Sequence, residues 1–236
     1  MPGGKRLSIT WLGHSTFILT TPGGKRIVTD PWLEGNPACP ASMKKIDKAD
    51  LILVSHGHFD HAGDVVNVAR ATGATVVGIF ELCGWLEGKG VRKTSGMNVG
   101  GTQKIGDIAV TMTMALHSSG AVEDGRPLYL GEPAGFVITF EEGLRAYFAG
   151  DTAVFGDMRL IKELHAPELA FLPIGDHFTM GPEGAAKACE MLGVKQVVPM
   201  HWGTFPLLTG TPARLRELVQ PIGVQVLELK PGQTAE

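Results

Sequence analysis

The chain has few cysteines and no long apolar run. Its three cysteines, Cys39, Cys83 and Cys189, are an odd number without paired spacing, which argues against a disulfide-stabilised secreted protein and favours a reducing cytoplasm. Cys189 falls on the apolar face of a predicted helix, which indicates a buried, inert thiol. No apolar run approaches the length of a membrane span, so we expect no integral membrane segment.

The start of the chain lacks the features of a leader. Residues Met1–Arg6 lead into a short apolar stretch that His14 interrupts. This stretch is too short and too polar for the apolar region of a signal peptide. We therefore expect a cytoplasmic protein.

Charge is also sparse. Charged residues make up 19% of the 236 residues and the net charge is -3, so the sequence lacks the basic face that nucleic acid demands. We expect a small-molecule substrate and no nucleic-acid partner, and a homo-oligomer is left open. A chain of this length can bury a substantial core, and we expect a single domain over 1–236.

What is present is a dense cluster of metal-ligand side chains. His56, His58, Asp60 and His61 lie within six consecutive positions, and imidazole nitrogen and carboxylate oxygen are preferred ligands of zinc and similar divalent ions. The apolar run Leu51–Val54 just before them is typical of a buried strand, and ligands collect where such strands end. We favour a metal site over a polar loop whose histidines bond to the backbone.

The spacing within this cluster predicts two half-sites. Alternate side chains of an extended segment point the same way, so His56 and His58 are expected to bind the same ion. Asp60 and His61 lie where the chain should turn into a helix over His61–Thr72, and they would face a neighbouring position. Two half-sites side by side suggest a binuclear centre.

Strand-like runs alternate with helix signals along the chain. This order predicts an α/β fold with two sheets packed together and helices outside. Helices are predicted over Pro182–Leu192 and Arg214–Val219. The turn-rich segments Glu34–Lys45 and Ala121–Pro133 are either flexible flaps or plain surface loops. The predicted strands are Leu7–Trp11, Thr16–Leu19, Arg26–Val28, Leu51–Val54, Thr75–Val77, Ala109–Met114, Gly135–Thr139, Arg145–Phe148, Ala170–Leu172, Gln196–Val198 and a last one near Val224–Leu229.

Three further ligand-type residues each follow a strand-like run. His117 follows the run that ends at Leu116, Asp151 follows a run that ends at Ala149, and His201 comes soon after Pro199. Since His56 also lies just past a strand, we expect these side chains to converge on one rim of a sheet.

The motifs together resemble the metallo-β-lactamase superfamily. His56–His61 is similar to its His-x-His-x-Asp-His signature, and further motifs follow in the superfamily's order over nearly the whole chain. These further motifs are Trp11–Ser15, Thr29–Pro31, Ala115–Ser118, Phe148–Thr152, Gly175–Pro182 and Pro199–Gly203. Within the superfamily, the first and fifth of them resemble a narrower branch of small metal-dependent hydrolases similar to the L-ascorbate-6-phosphate lactonase.

The resemblance implies a four-layer αββα sandwich of the metallo-β-lactamase type with two metal sites. Asp151 would bridge the two ions. Asp30 would accept a hydrogen bond from a ligand histidine and fix its tautomer. A role as a turn residue before Pro31 is an equally good explanation of Asp30. The ligands implied for the first ion are His56, His58 and His117, and those for the second are Asp60, His61 and His201.

The chemistry expected of such a site is hydrolysis. Two close divalent ions lower the pKa of a shared water, and the resulting hydroxide, oriented by Asp60, would attack a small ester, lactone or phosphodiester. We expect zinc first, with manganese or iron as alternatives. The alternative functions are an iron-dependent oxidoreductase on the same fold, or a metal-binding protein without catalysis. The flavodiiron-type pattern has a glutamate where His58 stands, which argues against the oxidoreductase.

Four residues are predicted to line the pocket. His14 matches the narrower branch and is expected to contact substrate as a donor or general acid, although a structural role is the alternative. Asp176 is expected in the pocket or beside a ligand. The branch usually has asparagine where His177 stands, so we expect only pocket polarity from His177. Trp202 is expected either to supply an apolar wall for the substrate or simply to pack beside the metal site.

Overall fold

The computed structural model describes residues 6–236. The prediction that no leader is present falls largely on residues 1–5, outside the described part of the chain. Contacts divide the described chain into two compact units. The first unit holds the chain up to Val99 together with Ser118–Pro133 and Leu229–Glu236, and the second unit holds Gly100–His117 and Ala134–Glu228. The single domain over 1–236 stays a prediction.

The described residues form strands and helices in the alternating order that the sequence predicts. The strands are β1 (Ser8–Trp11), β2 (Phe17–Thr20), β3 (Arg26–Thr29), β4 (Leu51–Leu53), β5 (Thr75–Ile79), β6 (Thr94–Met97), β7 (Thr102–Ile105), β8 (Ile108–Met114), β9 (Gly120–Glu123), β10 (Arg126–Tyr129), β11 (Ala134–Thr139), β12 (Arg145–Phe148), β13 (Leu169–Pro173), β14 (Gln196–Met200), β15 (Gln225–Val226) and β16 (Thr234–Ala235). The helices are α1 (Phe59–Ala62), α2 (Val65–Thr72), α3 (Phe80–Gly88), α4 (Met158–His165), α5 (Pro182–Leu192) and α6 (Pro212–Val219). Among the described residues, none of these helices combines the length and apolar character that a membrane crossing requires.

The first unit is built on a seven-stranded mixed sheet in the order β16-β1-β2-β3-β4-β5-β6. Strands β3 to β6 run parallel, and β4 and most of β5 are buried, as parallel strands covered on both faces must be. The loops after β3 and β4 carry Asp30 and His56. Both therefore leave the same edge of the sheet, because parallel strands end at the same side.

The predicted helix over His61–Thr72 is wrong in its extent, because the chain forms two helices there. α1 ends at Ala62 and α2 begins at Val65. Between them the backbone N–H of Asp64 donates to the Pro31 carbonyl at 2.9 Å, and the Asp64 carboxylate accepts from the N–H of Leu33 at 2.6 Å. These bonds hold Asp64 against the loop after β3, so that the helix is broken.

The second unit has a seven-stranded mixed sheet in the order β15-β14-β13-β12-β11-β8-β7. β12 to β15 run parallel. Helix α5 matches the prediction: Pro182 stands in its first turn, and Gly193 ends it at φ 65°, a conformation that glycine adopts without strain. The strand near Val224–Leu229 is reduced to Gln225–Val226.

Ala121–Pro133 is not a plain surface loop, because most of it forms a β-hairpin, and its flexibility stays a prediction. β9 and β10 pair as an antiparallel hairpin within the first unit. Its two turn residues, Asp124 and Gly125, have φ values of 49° and 74°, which is the geometry of a tight two-residue hairpin turn. The Asp-Gly dipeptide was the sequence signal for this hairpin.

Candidate metal centre

A buried network around Asp30 orients His61 in the first unit. The Asp30 carboxylate accepts from the backbone N–H of Ser55 at 2.7 Å and from the Ser55 hydroxyl at 2.6 Å. The other contact is with Nδ1 of His61, 2.8 Å from Oδ2. Burial raises the pKa of Asp30, while His61 and Ser55 oppose that rise. A carboxylate on Nδ1 directs Nε2 of the imidazole toward a metal.

His56 and His58 form a close pair on the segment after β4. Nε2 of His56 lies 3.0 Å from Nδ1 of His58, as expected if both rings turn toward one point. Nδ1 of His56 lies 3.0 Å from the Ser55 hydroxyl, which links the pair to the Asp30 network. The His56 ring also lies 4.2 Å from that of His61, measured between centroids.

Gly57, between these two histidines, lies in close contact with the residues around the β9–β10 hairpin. A Cβ atom at Gly57 would lie 2.6 Å from Cδ1 of Leu130, and Leu130 is buried. The Gly57 N–H also donates to the Ser119 hydroxyl at 3.1 Å. The chain that enters and leaves the β9–β10 hairpin therefore packs directly on the histidine segment.

His14 contacts Asp60. Its Nε2 lies 3.1 Å from Oδ2 of Asp60, and the same oxygen lies 4.0 Å from Nε2 of His61. The His14 side chain is fully buried, and Trp32 meets its ring edge-on at 5.2 Å. The contact with substrate stays a prediction, but the described contact makes His14 a residue that positions Asp60.

The second unit brings its own three ligand-type residues together. Oδ2 of Asp151 lies 2.9 Å from Nε2 of His201 and 3.6 Å from Nε2 of His117. Each follows a strand, as the sequence predicts, because they come after β12, β14 and β8. A carboxylate between two imidazoles can serve as a shared ligand.

The residues predicted beside the site differ in burial. Asp176 and His177 are exposed, and the Asp176 carboxylate accepts from the His177 N–H at 2.9 Å. The indole of Trp202 donates to the Pro199 carbonyl at 3.3 Å. His165 is the last residue of α4.

Backbone strain is the feature that sequence reasoning missed. Seven described non-glycine residues have a positive φ, and five of them are predicted site residues. Such conformations cost roughly 1–3 kcal/mol each and gather at functional sites. The only signal in the sequence is the neighbouring glycine at some of these positions. The five are His14, Asp30, Asp176, His177 and His201.

The donor chemistry of both units fits divalent metal ions. The buried groups are imidazoles and carboxylates, with no thiolate among them, and this set suits zinc and also manganese or iron. In the first unit, one ligand atom from each of His14, Asp60 and His61 lies within 4.8 Å of the others.

Comparison with known proteins places the chain in a family. The model of the β-lactamase superfamily domain matches residues 25–202. A UPF0173 metal-dependent hydrolase of Solibacter usitatus is 52% identical over 230 residues, which are 98% of this chain and 100% of that protein. The structure of Igni18, a metallo hydrolase from the archaeon Ignicoccus hospitalis, has a TM-score of 0.86 at 36% identity and covers 97% of each chain.

A more distant neighbour shares the fold alone. The diiron β-hydroxylase CmlA of Streptomyces venezuelae has a TM-score of 0.78 at 15% identity, over 100% of this chain and 55% of that one. At this identity the similarity carries no shared activity.

The chain belongs to the β-lactamase superfamily. It is a metal-dependent hydrolase, as its relatives of about 50% identity over nearly their full length show. The predicted superfamily, the α/β fold of the metallo-β-lactamase type and the enzyme class are confirmed. The similarity to the ascorbate phosphate lactonase, the identity of the metal and the seven-residue ligand set stay predictions.

Proposed function

We propose that the enzyme uses two divalent metal ions to hydrolyse a small ester, lactone or phosphodiester. The proposed ligands are those that the motif order implies: three histidines for the first ion, two histidines and one aspartate for the second, and a bridging aspartate. The cluster of His56, His58, Asp60 and His61 carries the proposal, together with the 2.8 Å contact between the Asp30 carboxylate and Nδ1 of His61. The first ion would be held by His56, His58 and His117, and the second by Asp60, His61 and His201. Asp151 would be a ligand of both ions.

Each half of this set has internal support. In the first unit, Asp30 holds His61 and His14 holds Asp60, so both ligands are oriented before a metal binds. In the second unit, Asp151 lies between His117 and His201. The imidazoles and carboxylates gathered in each unit are the ligand types that divalent ions prefer, and this supports a metal role for both groups.

The metal ions and the protein side chains have separate roles in the proposed hydrolysis. When bound, two divalent ions supply Lewis acidity that lowers the pKa of water and stabilises developing negative charge. The Asp60 carboxylate would orient the attacking water, and its hydrogen bond to His14 would hold Oδ2 in place. Trp202, Asp176 and His177 would border the substrate.

The test combines metal content with turnover. Purified protein is loaded with zinc, manganese or iron(II), its metal is measured by elemental analysis, and the same samples are assayed on lactones, carboxylic esters and phosphodiesters. We expect about two ions per chain and turnover of at least one class. A ratio of one with full activity would contradict the binuclear proposal, and two ions without turnover of any class would contradict the substrate proposal.

The oxidoreductase alternative has a separate outcome. It requires activity only with iron, together with an iron absorption band that changes when oxygen and a reductant are added. The histidine at position 58 argues against it, and the CmlA neighbour supports only the shared fold.

The cytoplasmic location and a homo-oligomer are further proposals, which cell fractionation and light scattering would test.

A further inference from the structure

A large cavity of about 850 Å³ opens beside His58 within the first unit. One side is the segment Gly57–Gly63 with helix α1, and the other is the β9–β10 hairpin. The indole of Trp85, from α3, also lines it. The cavity shares His58 with the histidine pair, so anything bound in it adjoins a proposed metal ligand.

The walls of this cavity present apolar side chains to solvent. Phe59 is 67% exposed and Val122 is 74% exposed. Single exposed apolar side chains are common, whereas a contiguous exposed apolar patch marks a ligand groove or an interaction surface. Tyr129 is 62% exposed and Leu128 is 37% exposed on the neighbouring strand. These four residues and Trp85 form a contiguous apolar lining.

The charged groups of the lining neutralise each other. Among the described residues that line the cavity, the charged side chains are Lys89 and Glu123. Nζ of Lys89 lies 2.5 Å from Oε1 of Glu123, and the Trp85 indole donates to the same oxygen at 2.9 Å. The Lys89 ammonium also lies 5.4 Å from the centre of the Trp85 ring. A bound phosphate or carboxylate would have to compete with Glu123 for this cation.

We propose that this cavity binds an uncharged, apolar group of the substrate, so that the enzyme prefers esters or lactones with an extended hydrocarbon substituent. The inference rests on the proposed function, because it places that substituent next to the hydrolytic centre. The β9–β10 hairpin is then the segment that determines specificity. Its anchor is fixed by the Gly57 N–H bond to Ser119 at 3.1 Å.

An apolar lining should make kcat/KM depend on the length of the substrate's hydrocarbon chain. Each methylene that enters an apolar wall contributes about 0.8 kcal/mol, which is roughly a three- to fourfold gain in kcat/KM. Along the series from methyl acetate to methyl octanoate, kcat/KM should therefore rise over the first several methylenes. The released acid is followed by pH-stat titration, so that no aromatic leaving group can occupy the cavity.

Matched variants separate the cavity from general effects of charge. Val122→Asp places a carboxylate in the lining, and Leu164→Asp places one on α4 in the second unit, where Leu164 is 73% exposed. We expect Val122→Asp to lower the octanoate-to-acetate ratio of kcat/KM at least tenfold, and Leu164→Asp to keep the wild-type ratio. Leu128→Asn is a second lining variant in case Val122→Asp disturbs the hairpin.

Binding of an uncharged probe gives an independent readout. The probe is 2-acetylnaphthalene, measured by equilibrium dialysis on the metal-loaded protein. We expect binding that both lining variants weaken and Leu164→Asp does not. Equal binding in all four proteins, or none in the wild type, would overturn the cavity inference.

The two readouts distinguish the inference from the proposed function. If the probe binds as expected while no ester or lactone is hydrolysed, the proposed ester chemistry fails and the apolar site stands. If methyl acetate is hydrolysed but chain length has no effect and the probe does not bind, the inference fails alone.

Discussion

The two units supply the proposed metal-ligand residues in different ways. In the first unit, four of these residues, His56, His58, Asp60 and His61, lie within six consecutive positions. Other side chains position two of them: Asp30 is hydrogen-bonded to His61, and His14 is hydrogen-bonded to Asp60. In the second unit, the ligand residues come from three separate strand ends, and backbone geometry holds them.

The backbone support of the second unit is specific. His201 has a φ of 54°, and a Cβ at Gly175 would lie 2.1 Å from the His201 carbonyl oxygen, so the two loops touch through their main chains. Asp151 follows Gly150, whose φ is 61°. Such strained backbone persists only where the surrounding structure fixes it.

The largest effect is expected at Asp151. Asp151→Ala removes the carboxylate that lies near both His117 and His201, so it should loosen both ions and lower kcat/KM by roughly 10³-fold or more, the equivalent of several kcal/mol of lost stabilisation. Metal content and turnover are measured on the same sample.

Two controls accompany that variant. Asp151→Asn keeps the shape but not the charge and should also lose metal. His165→Ala, at the end of α4, should alter neither reading. Full activity in Asp151→Ala, with activity lost in His165→Ala, would show that the ligand assignment is wrong.

A smaller loss is expected at His14, where the first unit relies on a side-chain bond. If His14 acts by holding Asp60, His14→Ala should lower turnover by roughly 10–100-fold or weaken one metal by that factor. His14→Gln, which can still donate to Asp60, should recover part of the loss. If His14 instead transfers a proton to substrate, metal content stays full, turnover falls by roughly 10²–10⁴-fold, and Gln does not help.

The same contrast explains what sequence could predict. The first-unit cluster was recognisable from residue chemistry alone, because metal binding is the simplest physical reason to place four ligand-type side chains within six positions. The second-unit residues needed the family resemblance, since His117, Asp151 and His201 are each one polar residue after a strand. His14 was predicted near substrate, but its bond to Asp60 joins residues 46 positions apart, and no local pattern encodes such a contact.

Errors in the predicted elements also have local causes. The helix over His61–Thr72 is split because Asp64 bonds to the distant Pro31–Glu34 loop. Helix α3 was not predicted, because Phe80 is 64% exposed while Leu82, Cys83 and Leu86 are buried, and exposed apolar residues obscure the helical period. The hairpin was missed although Asp124-Gly125 is a recognised turn signal.

A moderate effect on stability is expected at Gly57. Gly57→Ala would place Cβ 2.6 Å from Leu130, so the hairpin exit must shift, and we expect a loss of roughly 1–3 kcal/mol in the free energy of unfolding. The control is Gly84→Ala in α3, where no atom lies within 4 Å of the added Cβ and a helical alanine should stabilise by about 0.5–1 kcal/mol. Equal effects of the two variants in urea unfolding would contradict the close packing at Gly57.

The smallest and most diagnostic effect is in thiol reactivity, which reports on each unit separately. Cys83 lies in α3 of the first unit and Cys189 in α5 of the second. Burial raises the pKa of Cys83 to about 11 and that of Cys189 to about 12. At pH 8 both pKa values lie above the solution pH, so the native thiols stay protonated, and the thiolate is the form that reacts.

Alkylation with iodoacetamide at pH 8, followed by peptide mapping, should therefore leave both cysteines unmodified in the native protein and modify both in urea.

Under mild denaturant, slower labelling of one cysteine than of the other would show that its unit opens less often, because labelling then follows the population of the open form. Asp151 belongs to the second unit, so Asp151→Ala should speed labelling of Cys189 more than that of Cys83. Fast labelling of either cysteine in the untreated native protein would contradict its burial, and equal acceleration of both would show that the two units open together.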